Sequence, residues 1–296
     1  MPSLLSSILN LRDVGQTTND LIGKKKLQTG RLYRAARPED ASNEDKDRLV
    51  NELKIKTVID LRSSAEHIHA AEKHNAKATS SEFIPKADAE TGQPFHIPGI
   101  SYREISLNGW PYSRSLMSKM SWWDTAWFFT YMTLGYRVEA ITILGTSVMV
   151  PEGLIGLAIR SVDSCTDEVR QVFEVLAEEE NYPVLVHCTQ GKDRTGLVVM
   201  LLLMLLGVDK NVIHQDYMRS MEELKPEREE RLKEIRTIGL TDEFADCDER
   251  LVNAVINHIS DKFGNVDAYL ESCGVGSEMQ DALKRILEVE KTASEY

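Results

Sequence analysis

His187-Cys188-Thr189-Gln190-Gly191-Lys192-Asp193-Arg194-Thr195-Gly196 joins a short β-branched run to a longer apolar one. Before it, Tyr182-Pro183 interrupts a helical pattern, and Val184-Leu185-Val186 reads as a buried strand. After it, the run from Leu197 to Leu206 is apolar on every side, as in a helix buried through the centre of a domain. Strand, loop and helix in that order aim backbone N–H groups at an anion held at the helix N-terminus. The helix dipole and a nearby cation favour the thiolate of Cys188, which is the nucleophilic form. Arg194 opposes the helix dipole unless an anion lies between them, and its flat fork of donors matches two phosphate oxygens. The pattern predicts attack by Cys188 on a phosphate ester. The amides of the loop, including Thr189, Gln190, Gly191 and Lys192, would hold the ester's oxygens.

Cys188, five further residues, Arg194 and then Thr195 resemble the signature loop of the cysteine-dependent phosphatases. The fuller pattern His-Cys-x-x-Gly-Lys-Asp-Arg-Thr-Gly looks like that of the atypical protein-tyrosine phosphatases of bacteria and fungi. That branch has members active on phosphotyrosine and on phosphoinositides. Asn10-Leu11-Arg12-Asp13-Val14-Gly15, Gly30-Arg31-Leu32-Tyr33-Arg34-Ala35 and Thr57-Val58-Ile59-Asp60-Leu61-Arg62-Ser63 resemble further segments of the family. So do Asp216-Tyr217-Met218-Arg219-Ser220 and Val266-Asp267-Ala268-Tyr269-Leu270. Ala35 departs from the serine usual there, and the region from about Trp110 to Asp163 lies outside the likeness. The resemblance implies an α/β fold, a phospho-cysteine intermediate, and phosphotyrosine proteins as substrates. It also implies a Thr195 hydroxyl that bonds the Cys188 sulfur and helps the intermediate break down. No metal or organic cofactor is required.

The general acid has two candidates. The resemblance points to the loop aspartate, Asp193, and a bound phosphate dianion favours the protonated form of a neighbouring carboxyl. Asp60 ends its strand at the edge where open α/β sheets place ligands. Asp193 could instead brace the loop, and Asp60 could pair with Arg62 or Arg12; Asp193 is preferred as the acid. Lys192 is a second cation that suits a second phosphate on one ligand, as on a phosphoinositide or inositol polyphosphate. Its alternative is a solvated lysine that only steers anions. His187 reads as structural, fixing the loop by hydrogen bonds. A phosphate-binding regulatory module is the alternative of a different class, although Cys188, Arg194 and Thr195 are all present.

The 296 residues fit one phosphatase domain over 1–296, read as a mostly parallel sheet with helices on both faces. A formal net charge of −12 argues against a general nucleic-acid or anionic-membrane binder. Cys165, Cys188, Cys247 and Cys273 have no metal or disulfide spacing, which suits a reducing, cytoplasmic setting. No basic segment precedes the apolar residues near Met1, so a signal peptide is not expected. Asp124, Arg137 and Glu139 interrupt the apolar region 122–150, so an integral membrane protein is not expected either. Residues 110–163, with all four tryptophans, read as a helical insertion that could form a lid. A second lid element falls within 222–260, where Glu222 to Arg236 reads as a charged helix. Helices are also predicted over 42–53, with Ser42 as cap, over 165–180, after Asp209, over 251–263, and over 277–287 with Ser277 as cap. Residues 70–99 read as loops, and Lys24-Lys25-Lys26 as a solvated turn.

Overall fold

Alternation sets the sheet. In Leu32–Ala35, Thr57–Asp60 and Val184–His187, side chains point alternately to two apolar layers. Leu32, Ile59, Val184 and Val186 face one cluster, while Tyr33, Ala35, Val58 and Leu185 face the other. Burial on both faces needs helices on both, which is the condition for a parallel sheet. A computed structural model describes residues 5–68, 70 and 96–289. Its five strands are β1 (Arg12–Asp13), β2 (Leu32–Ala35), β3 (Thr57–Asp60), β4 (Ser101–Glu104) and β5 (Val184–His187), in the spatial order β1-β2-β5-β3-β4. Only β1 runs antiparallel to its neighbour. The register aligns Ala35, His187 and Asp60 at the carboxyl ends of three adjacent strands, where the site forms.

Thirteen named helices surround the sheet among the described residues. The first two are α1 (Val14–Ile22) and α2 (Asn43–Asn51), the latter with the Ser42 side chain accepting from the Asp45 amide. Next come α3 (Trp110–Met117), α4 (Trp122–Leu134), α5 (Arg137–Leu144), α6 (Val150–Ser164) and α7 (Thr166–Leu176). The last six are α8 (Arg194–Leu205), α9 (Lys210–Glu223), α10 (Arg228–Thr237), α11 (Leu251–Phe263), α12 (Val266–Ser272) and α13 (Ser277–Leu287). Ten of the 12 residues of α8 are buried, so this helix is the axis of the main core.

Three expectations need revision. The charged helix expected over 222–236 is two helices, because Pro226 cannot continue α9 and a short 3-10 turn at Lys225–Glu227 separates it from α10. Ser277 is the first residue of α13 rather than its cap; Gly276 caps it without a side-chain bond. The apolar stretch is longer than the charges at 124, 137 and 139 suggested. α5, a π turn at Gly145–Met149 and α6 run on as 28 residues that hold an 18-residue window of mean hydropathy 1.6, a length and composition sufficient to cross a membrane. Gly153 breaks this run at φ 61°, ψ −177°, and α6 then packs on α3 and α11. Most of the loop expectation for 70–99 lies outside the described residues.

Candidate active site

The loop between β5 and α8 is held from behind. Asn10 Nδ2 donates to the Gln190 carbonyl at 2.9 Å, and Arg34 Nη2 donates to the Gly191 carbonyl at 2.6 Å. A trans peptide points its N–H opposite to its C=O, so anchoring these carbonyls outward turns the next N–H groups inward. The Gly191 N–H accordingly donates to Cys188 Sγ at 3.2 Å. Gly191 has φ 66°, and a Cβ there would lie 2.1 Å from the Ala35 carbonyl oxygen. Only glycine fits this approach of loop to strand.

Behind the loop lies a buried ion-pair cluster. Asp216 accepts from Arg12 Nε at 2.9 Å and from Arg34 Nη1 at 2.6 Å, and Arg12 also reaches Ser220 Oγ and the Asp216 carbonyl. Burial opposes ionisation of Asp216, but the two guanidiniums hold its carboxyl below the ordinary range. Burial and the neighbouring Arg12 lower the Arg34 pKa to about 10, so Arg34 stays charged at neutral pH.

Arg194, the first residue of α8, is also held. Its Nη1 and Nη2 each donate to Glu66 at 2.6 Å, and Nη1 also reaches the Leu61 carbonyl at 3.3 Å. Glu66 accepts further bonds from Thr189 Oγ1 at 2.6 Å and from the Ser63 amide and hydroxyl at 3.0 Å each. Burial would raise the Glu66 pKa, yet Arg194 and these donors hold it far below the usual range. The same carboxylate raises the pKa of buried Arg194, leaving it permanently charged.

The other predicted residues fall in different places. Cys188 is buried at the loop's start, and Asp193 stands half exposed beside Arg194. Lys192 is neither solvated nor turned to the loop's interior: it is fully buried, and its Nζ bonds Asp193 Oδ1 at 2.9 Å and the Asp246 carbonyl at 3.1 Å. Thr195 Oγ1 is buried without a partner, so the bond to Cys188 implied by the resemblance is not formed here. Asp60 takes the pairing role that stood against its role as acid. Its oxygens accept from Arg62 Nε, Nη2 and N, and lie 3.1 Å from His67 Nε2. Burial opposes its charge, but His187, His67 and Arg62 hold it well below the ordinary range, leaving no proton to donate at neutral pH. His187 is fully buried, with Nδ1 3.2 Å from the Cys188 carbonyl oxygen.

A cavity of about 280 Å³ opens onto Glu66, Asp193 and Arg194. Its walls are mostly apolar, with Tyr112 from α3, Leu154 and Leu157 from α6, Leu197 from α8, and Leu240 and Phe244 beyond α10, beside the polar Ser63, Asn108 and Ser161. Arg231 of α10 also lines it, with its Nε buried and without a partner. No group of three or more His, Cys, Asp or Glu side chains suits a metal ion among the described residues.

Sequence reasoning missed four residues of the site: Asn10, Arg34, Glu66 and Asp216. Three lie in segments that resemble the family, but nothing in their spacing shows that they meet. Glu66 had a local signal. Ser63-x-x-Glu66 is a capping-box pattern, and that reading conceals a partner 128 residues away.

Strand, loop and helix, with a buried cysteine and a paired arginine at the loop's ends, are the arrangement of a phosphatase. The chain belongs to the Tyrosine phosphatase family, which it matches over residues 4–288. It is 26% identical to the Triple specificity protein phosphatase PtpB of Mycobacterium tuberculosis, covering 94% of this chain and 96% of that protein. A Tyrosine-protein phosphatase of Nostoc commune is 27% identical over 50% of this chain and 56% of its own length. A short stretch, 13% of this chain and 15% of the relative, is 45% identical to the Inositol diphosphatase DSP2 of Arabidopsis thaliana.

Proposed function

We propose that the protein hydrolyses phosphate monoesters, phosphotyrosine on proteins first among them, through a phospho-cysteine intermediate on Cys188. The observation that carries this reading is the anchored loop: Asn10 and Arg34 hold its carbonyls away, and the Gly191 amide meets the Cys188 sulfur. The Cys188 thiolate attacks phosphorus, and the S–P bond forms as the bond to the leaving oxygen breaks. The loop amides and Arg194 bind the equatorial oxygens. Asp193 gives its proton to the leaving oxygen, then takes one from the water that cleaves the S–P bond. Asp60 braces the end of β3, and Thr195 stands near the intermediate with a free hydroxyl.

The apolar walls of the cavity suit an aromatic leaving group. Wider acceptance has support in the name of the mycobacterial relative, a triple specificity phosphatase. A second reading, hydrolysis of phosphoinositides, draws on Arg231, whose unpartnered Nε lines the same cavity. In that reading Arg231 takes the role of second cation that was first given to Lys192. The four free, buried cysteines fit a reducing compartment such as the cytoplasm.

Turnover of phosphotyrosine peptides and phosphoinositides by wild type, Cys188→Ser and Arg231→Gln tests the reading. We expect no turnover from Cys188→Ser, and turnover surviving there would overturn the mechanism. Selective loss of the phosphoinositide activity in Arg231→Gln would favour the second reading. A wild-type protein that binds phosphate but turns nothing over would be a binding module.

A further inference from the structure

The hairpin of α4 and α5 goes against the usual burial of apolar side chains. None of the 13 residues of α4 is buried. Trp122, Trp123, Trp127, Phe129 and Leu134 are each more than half exposed. No charged residue falls between Asp124 and Arg137, and the apolar side chains surround α4 rather than forming one stripe. A helix apolar on all sides belongs in a protein interior or in lipid, and this one touches the core through half-buried Phe128 while most of its apolar side chains stand exposed.

We propose that the α4–α5 hairpin seats in the surface of a lipid bilayer and turns the cavity beside Arg194 toward phosphorylated headgroups. The second half of this inference rests on the phosphatase reading above; the first half does not.

Three observations select lipid as the occupant. The first is the all-round apolar surface: a second copy or a protein partner covers one face of a helix and leaves the other in water. The second is the aromatic content. All four tryptophans lie between 110 and 127 and are exposed, and tryptophan and tyrosine favour the membrane–water boundary. The third is charge. Residues 110–150 carry the exposed cations Arg114, Lys119 and Arg137 against Asp124 and Glu139, in a chain of net charge −12. Headgroup phosphates would repel the remaining surface and accept this face, which fixes the orientation.

Length makes the seating shallow. Thirteen helical residues extend about 20 Å, short of the roughly 30 Å hydrocarbon core. With the hairpin lying in the boundary, Asp124 and Arg137 stay at headgroup level and the uncharged residues between them dip into the acyl chains. The longer apolar run from α5 into α6 does not leave the domain. Beyond the break at Gly153, Leu154, Leu157 and Ala158 wall the cavity, and α6 packs on α3 and α11. The same run therefore joins the exposed hairpin to the site.

Tryptophan emission from the unmodified protein tests this, because every tryptophan belongs to this region. Vesicles of phosphatidylcholine, alone or doped with phosphatidylserine or a phosphatidylinositol phosphate, are added, and the protein is then floated with them. We expect a blue shift, quenching by brominated acyl chains, and co-flotation with all the vesicle types. Combined Trp122→Ser, Trp123→Ser and Trp127→Ser should cut flotation by about tenfold or more while leaving nitrophenyl phosphate turnover unchanged. If that variant does not fold, quenching of the wild type decides alone. No shift and no flotation with any vesicle would overturn the inference. So would binding only to phosphatidylinositol phosphate that free phosphate abolishes, or a blue shift without lipid quenching that tracks self-association. A wild type inert toward nitrophenyl phosphate would count against the phosphatase reading and leave the lipid seating to the flotation result.

Discussion

Glu66 holds Arg194 by both arms of its guanidinium, each at 2.6 Å, and binds Thr189 of the same loop through one of those oxygens. With the Leu61 carbonyl and Thr189 Oγ1 also in reach, the Nη hydrogens are largely committed. Glu66 is thus a positioning residue. We expect Glu66→Ala to lower kcat/KM for aryl phosphates by about tenfold to a hundredfold, as misplacing an oriented group does. Glu66→Gln, which keeps one acceptor, should recover part of the loss. Parallel weakening of inhibition by inorganic phosphate would place the effect on anion binding. Unchanged kinetics in Glu66→Ala would refute the assignment.

Gly191 meets two demands that no other residue satisfies, a φ of 66° and a Cβ position 2.1 Å from the Ala35 carbonyl oxygen. Gly191→Ala must therefore shift the loop away from β2 and loosen the bond that Arg34 makes to the Gly191 carbonyl. The left-handed backbone alone costs about 1–2 kcal/mol for a residue with a Cβ, and the clash adds to it. Chemical unfolding should show at least that loss, with activity falling further than stability. A fully active Gly191→Ala protein would show that the loop geometry is not what the chemistry needs.

Asp216 makes stability depend on acid. Its folded pKa lies below the unfolded value because two guanidiniums face it. A depressed carboxyl contributes its full stability above the unfolded pKa of about 4 and loses it as pH falls through the folded value. Asp216→Asn leaves Arg12 and Arg34 buried without their counter-charge, which should cost about 3–5 kcal/mol near neutral pH. The gap between variant and wild type should narrow as pH drops below about 4, where the unfolded carboxyl takes up its proton first, and close once the folded one does. Urea unfolding at several pH values measures this, and a gap that widens in acid would contradict it.

These residues show why the sequence disclosed some parts of the site and hid others. Cys188 and Arg194 were legible because a strand, a seven-residue motif and a helix are adjacent in sequence. α8 was legible because it is apolar on all sides. Asn10 and Arg34 reach the loop across 180 and 157 residues, Asp216 meets Arg34 across 182, and no local period encodes such meetings. The sequence marked Lys192 and Asp60, but the direction of the Lys192 side chain was not readable, and the pairing of Asp60 with Arg62 stood only as the alternative to its role as acid. Lys192 turns to the Asp246 carbonyl, and Asp60 turns to Arg62. The break between α9 and α10 was visible as Pro226, yet the charge pattern on either side suggested one continuous helix.

The geometry of its rival supports the proposal that Asp193 is the acid. Asp60 is fixed by three donors of Arg62, whereas Asp193 is half exposed, lines the cavity and has Lys192 as a side-chain partner. A general acid matters most when the leaving oxygen is basic. We therefore expect Asp193→Asn to cut kcat for alkyl or phosphotyrosine substrates by about a hundredfold to ten-thousandfold, the range of acid–base contributions. For nitrophenyl phosphate, whose leaving group needs little protonation, the loss should be far smaller. Asp60→Asn should instead lower stability and reduce turnover of both substrates alike, because it removes one of the two carboxylates, Asp60 and Glu39, that pair with buried Arg62. Plotting log kcat against leaving-group pKa separates the two. A steeper slope in Asp193→Asn than in wild type supports the acid; parallel lines in Asp193→Asn would send the search for a proton donor to another residue of the cavity wall.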